Sequence, residues 1–274
     1  MHVELFEIAG RFRGPPKSGN GGYVCGRIAK HLQGTVAVRL KAPPPLNVEL
    51  RIESTDQEAR LFQGTTLVGE AKHSQLSLQA PPSPSYEEAE QSAQSFLGFK
   101  THAFPGCFVC GPERTLHDGL RIFPGSVNGT STIAAPWTPD ASPADESGKV
   151  KSEFLWSALD CTGAFAVFPL PDGAAIVLGE LCASVMGEVK PGDRCVVIGW
   201  PLGVEGRKHL AGTALMRTDG AHRCDCPGRL DRGSLEHLEL SPPRVLCMET
   251  PNPSIERTCS GKLRVLPHAA HVKR

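Results

Sequence analysis

The sequence predicts an α+β protein made of two tandem units, each a long helix wrapped by an antiparallel sheet. Three observations carry this expectation. Two stretches, SGNGGYVCGRIAKHL and VKSEFLWSALDCTGAFAVF, place apolar residues at helical spacing. Each is followed by segments that alternate polar and apolar residues between turn-forming dipeptides, which describes antiparallel strands rather than a doubly wound sheet. The order strand, helix, strands then recurs after about half the chain, with no evident sequence identity between the copies.

Taken in order, Val3 to Arg13 is an amphipathic strand candidate that runs into a Gly, Pro and Ser-rich turn. Ser18 and Asn20 are good helix caps, and Val24, Cys25, Ile28, Ala29 and Leu32 form one face of a helix over Gly22 to Leu32. Strands are expected at Thr35 to Leu40, Asn47 to Ser54, Glu58 to Gln63 and Thr65 to Leu78, completing a first unit over residues 1–80. Residues 81–118 lose periodicity: PPSPSYEEAEQSAQ reads as a linker with room for one short helix, and THAFPGCFVCGPERTLHDG as a loop. The second unit, residues 119–220, offers strands at Gly119 to Phe123, Ser131 to Trp137, Ala174 to Val189, Asp193 to Pro201 and Lys208 to Arg217 around the helix Val150 to Phe168.

Composition narrows the function classes. Lys plus Arg equal Asp plus Glu at 29 each, so no excess of charge favours nucleic acid or a basic partner. No uninterrupted apolar stretch approaches the ~20 residues that span a bilayer, and MHVELFEIAG does not read as a signal peptide. Ten cysteines without a secretory signal imply free thiols in a reducing compartment. The expectation is a cytoplasmic protein with no nucleic-acid partner, no membrane and no metal or redox cofactor.

Asp160 is the first candidate for chemistry. It sits in the middle of an otherwise apolar helix, on a stripe with Glu153, Trp156 and Gly163. A buried carboxylate is costly unless it is paired, neutralised or used, so the choice lies between an acid bonded to a neighbour and a catalytic one.

The motifs SGNGGYVCG, LKAPPPLNVEL, PGCFVCGPER with GLRIFPG, SEFLWSALDC, VLGEL with VKPGDRCVVIGW, and EGRKHLAGTAL together resemble a fused double-hotdog protein. They resemble most the acyl-CoA thioesterase-like branch, over about Phe6 to Gly220. The resemblance implies two hotdog units side by side, with an acyl-CoA or acyl-carrier-protein thioester bound between them, and it allows for a homo-oligomer. Single-unit hotdog thioesterases carry His-Gly-Gly at the helix start and an acid two turns on, and take the glycine from one unit and the acid from the other. Here the first helix has Asn20-Gly21-Gly22 but Ala29 where the acid would stand. The second has Asp160 but Lys151-Ser152-Glu153 where the glycines would stand. One composite site is therefore expected, with Asp160 as base or nucleophile, Gly21 and Gly22 as oxyanion donors, and Asn20 in the histidine's place.

Other candidates are weaker. Arg207 and Lys208 could hold coenzyme A phosphates, although charges at strand ends are usually only solvated. Trp137 and Trp156 could line an acyl pocket, although buried tryptophans are more often plain core. Cys107 and Cys110 have redox or half-zinc spacing, and Cys224 with Cys226 could in principle complete a zinc site, which ranks low. Two rivals stand beside the thioesterase: a non-catalytic acyl-CoA-binding module, and a hotdog hydratase. The hydratase is disfavoured because Phe165 stands where those enzymes carry a histidine five residues from the acid.

Residues 221–274 break the pattern, being rich in Cys, Arg and Pro with no strand alternation at the start. The resemblance expects one more strand there, ending in an Ala-x-x-Trp-Ile-like sequence. A one-nucleotide forward slip within the Ala221 codon lets the codons for Ala221 to Asp231 spell Arg-Thr-Val-Ala-Ile-Ala-Arg-Ala-Ala-Trp-Ile. The tail is accordingly expected to be irregular and out of frame.

Overall fold

A computed structural model describes residues 1–170 and 174–218, together with the backbone of Gly261–Pro267. Its first unit runs β1 (His2–Glu7), α1 (Gly21–Ala29), β2 (Thr35–Leu40), β3 (Glu49–Ser54), β4 (Glu58–Gln63) and β5 (Thr66–His73). A short helix, α2 (Tyr86–Ala93), is held by a Ser85–Glu88 capping box. The second unit runs β6 (Gly125–Ser126), β7 (Ile133–Trp137), α3 (Ser152–Ala166), β8 (Ala174–Ser184), β9 (Cys195–Glu205), β10 (Lys208–Arg217) and β11 (Gly261–Pro267).

Among the described residues these strands form one antiparallel sheet in the order β1-β3-β4-β5-β2-β8-β11-β10-β9-β7-β6. The order repeats. The first unit reads β1-β3-β4-β5-β2, and the second, leaving aside the two-residue β6 at the far edge, reads β7-β9-β10-β11-β8, each with its helix after the first strand of its series. The units meet where β2 pairs with β8, with Thr35 opposite Ser184 and Arg39 opposite Glu180. Arg39 also carries its charge to the buried Glu180, so an ion pair accompanies the seam. Both helices lie against this sheet, α1 on β2, β4, β5 and β8, and α3 on β7, β8, β9 and β10, and they pack against each other. This is the double-hotdog architecture that the resemblance implies.

The helix-to-helix contact explains two glycines. A Cβ on Gly22 would lie 2.5 Å from the Trp156 carbonyl oxygen, and one on Gly26 would lie 2.4 Å from the Glu153 Cα. Only glycine lets α1 and α3 approach this closely. Around the contact, Val24, Cys25, Ile28, Leu155, Ala158 and Leu159 are buried, as the apolar spacing requires.

Three segments depart from expectation. The first strand ends at Glu7, and the chain then turns through Gly10–Phe12. Gly119 to Phe123 is not a strand: Arg121 takes φ +54°, outside extended geometry, and the segment bonds instead to the cysteine loop through Leu120 N–H to the Phe108 carbonyl and Ile122 N–H to the Val109 carbonyl. The irregular tail contributes one strand after all. β11 pairs with β8 on one side and β10 on the other, filling the position that β5 holds in the first unit. The proposed frame slip and the Ala221 to Asp231 segment lie outside the described residues.

Candidate functional site

α1 begins at Asn20, whose side-chain Oδ1 accepts the Tyr23 N–H at 2.9 Å. This capping bond fixes the amide so that its Nδ2 donates to Asp160 Oδ2 at 3.2 Å. The Gly22 N–H donates to the same oxygen at 2.8 Å. The acid of the second helix and the glycines of the first therefore meet, at a point where Asp160 is only 6% exposed. Oδ1 makes no hydrogen bond with any described residue. The position a Gly21 side chain would take is 3.2 Å from Asp160 Oδ2 and 2.7 Å from Leu178 Cβ, so β8 floors the site.

Burial pushes the Asp160 carboxyl up to about 7, and the Gly22 N–H and the Asn20 amide oppose that rise without cancelling it. The positive end of α1 is thus turned toward the buried acid of α3. At the equivalent place on α1 stands the buried Ala29, so the mirror arrangement lacks a carboxylate.

Other expected residues do not converge here. Trp156 is buried at the crossing of the helices beside Gly22 and Gly26, which makes it core. Trp137 lines a separate cleft of about 230 Å³ with Arg11, Phe108, His117, Arg121 and Phe154, and Asp160 is not among the residues lining it. Arg207 and Lys208 are exposed at the turn between β9 and β10. Cys224 and Cys226 lie outside the described residues.

The cysteine loop, in contrast, reaches the site. Cys107 Sγ is 3.7 Å from Cys161 Sγ, and Asn20 Nδ2 lies 3.9 Å from the first sulfur and 3.7 Å from the second. Hydrogen bonds from Cys110 and Cys161 hold the Cys107 thiol well below the usual range, while burial pushes Cys110 up. Sequence reasoning noted the Cys107–Cys110 spacing but missed Cys161. Its adjacency to Asp160 in the helix was the available signal.

No protein-family model matches the sequence, and no curated protein matches it. Solved structures do match its shape. A TesB protein of Mycobacterium avium subspecies paratuberculosis superposes with a TM-score of 0.55 at 10% identity, covering 97% of this chain and 93% of that one. A hot dog fold protein of unknown function from Alicyclobacillus acidocaldarius gives 0.54 at 10% identity, covering 96% and 93%. An acyl-CoA thioesterase II, TesB2, of Mycobacterium marinum gives 0.54 at 8% identity, covering 97% and 94%. The described residues have the double-hotdog fold. No helix of the described residues is long and apolar enough to cross a membrane.

Proposed function

We propose that this chain is an acyl-CoA thioesterase with one composite site, in which α3 supplies Asp160 and α1 supplies the oxyanion-binding end. The observation that carries the reading is the meeting of Asp160 with Gly22 and Asn20 across the unit boundary, with Oδ1 left over. Held by two donors through Oδ2, the carboxylate has a fixed direction, and Oδ1 can take a proton from water or attack the thioester carbonyl itself. The Gly21 N–H and the positive end of α1 then face the oxygen on which charge develops. Collapse of the tetrahedral species expels the coenzyme A thiolate, leaving the free acid where water attacked, or an acyl-Asp160 anhydride that a water then hydrolyses where the carboxylate attacked. Asn20 acts through Asp160, as a positioning residue. Neighbours named as thioesterases support the substrate class by analogy of fold.

One observation favours a non-catalytic acyl-CoA binder: the Gly22 N–H is already engaged by Asp160, so it is not open to substrate as the sequence suggested. The geometry gives no support to the hydratase rival, because Phe165 packs on Phe168 and Phe96 rather than offering a second proton-transfer group. A panel of acyl-CoA esters assayed for thiol release separates the two remaining readings. Turnover of at least one ester is expected, and tight binding with no release on any ester refutes the hydrolase.

A further inference from the structure

We propose that Cys107, Cys110 and Cys161 form a three-thiolate site for a zinc-class divalent cation, tying the cysteine loop to α3 beside Asp160. The three sulfurs come from two segments far apart in sequence, and all lie within 4.8 Å of one another, fully buried. A tetrahedral ion with Zn–S bonds of about 2.3 Å needs sulfurs ~3.8 Å apart. Cys107 and Cys161 already stand at 3.7 Å.

Three buried thiols could simply be small apolar fillers. The donors around them argue otherwise. Asn20 Nδ2 faces the sulfurs of both Cys107 and Cys161. His102 Nδ1 accepts the Phe104 N–H at 3.0 Å, so the neutral ring carries its proton on Nε2, which lies 3.3 Å from Cys110 Sγ. Every sulfur thus has an N–H donor near it, as the sulfurs of a metal-bound thiolate require. Three thiolates packed together repel one another unless a cation lies between them.

The loop is also built for the purpose. Two residues separate Cys107 from Cys110, and the turn closes with Gly111 N–H on the Cys107 carbonyl at 3.0 Å. A Cβ on Gly111 would lie 2.4 Å from that carbonyl oxygen, so the turn that brings the two sulfurs together admits only glycine. Soft thiolates in tetrahedral arrangement select zinc over magnesium or calcium. His102 and Asn20 act as outer hydrogen-bond donors to the sulfurs, and the fourth position falls to water or a small anion.

The proposal does not depend on thioester hydrolysis, and its test reads metal rather than turnover. Cys224, Cys226, Cys247 and Cys259 lie outside the described residues, so the parent for the test carries serine at these four positions, with the unaltered chain alongside. Protein purified without chelator is expected to hold about one zinc per chain. Replacement by cobalt(II) should give thiolate-to-metal charge-transfer bands and the intense visible bands of a tetrahedral site. Cys161→Ser should lower the charge-transfer intensity by about a third or abolish binding, and Cys25→Ser should leave it unchanged. A weak octahedral cobalt spectrum in the unaltered chain overturns the proposal whatever the variants do. So does a Cys107–Cys161 disulfide found by mass spectrometry in protein purified under reducing conditions.

Discussion

Asp160→Asn distinguishes a catalytic acid from a buried structural one, because the two readings make opposite stability predictions. The substitution keeps the shape and leaves an oxygen to accept from Gly22 and Asn20, but removes the charge. The carboxyl rises from 3.8 to about 7 in the folded state, which corresponds to at most about 4 kcal/mol. The sign follows from linkage. A carboxyl whose folded value is raised binds its proton more tightly in the native state, so it loses stability as pH rises from the unfolded value to the folded one. Below about pH 4 the parent and the variant should be equally stable, whereas near pH 8 the variant should be more stable by up to about 4 kcal/mol. Hydrolysis should meanwhile fall on the order of a hundredfold or more. Urea unfolding at both pH values gives the first quantity, with a chelator present throughout because a cation at the neighbouring thiols would lower the carboxyl's midpoint. Thiol release from acyl-CoA gives the second. Parental turnover in the variant, or lower stability than the parent near pH 8, would refute the reasoning.

Four further outcomes follow. Gly22→Val should cost several kcal/mol, on the order of an overpacked core, and lower turnover together with Tm, because its side chain would collide with the Trp156 carbonyl; unchanged Tm by scanning calorimetry would contradict the helix contact. Ala29→Ser, at the mirror position, should leave turnover within about twofold, and a larger fall in kcat would mean the second site is not vestigial. At acid pH, Glu4 should contribute to the loss of stability. Burial would raise its carboxyl, but Lys30 and Arg27 outweigh that and hold it below its ordinary value, so its stabilisation is present above the unfolded value and is lost as pH falls through the folded one; Glu4→Gln should flatten the acid limb of the urea midpoint against pH, and an unchanged limb would count against the cluster. Ending the chain after Thr218 removes β11 and leaves β8 and β10 with unpaired edges inside the sheet, so association or a lower Tm is expected, measured by light scattering and calorimetry.

The sequence by itself determined the fold class and most of the order of the elements. Helical spacing in α1 and α3, two-residue alternation in the strands from Thr35 to Gln63, and Gly and Pro at the turns are local signals, and local signals survive without knowledge of the fold. The glycines at the head of α1 and the acid in the middle of α3 were equally legible, since each is unusual in its own stretch. Three features required the tertiary structure. Gly119 to Phe123 has strand composition, but its backbone hydrogen bonds go to the cysteine loop, which no local pattern records. The Gly22 N–H was readable as a donor, yet its acceptor was decided by the crossing of two helices 138 residues apart in sequence. The partner of Cys107 and Cys110 is Cys161 because packing brings that turn of α3 against the loop. Spacing in sequence reports which side chains share a face, whereas the position of one face against another follows only from the packing of the whole core.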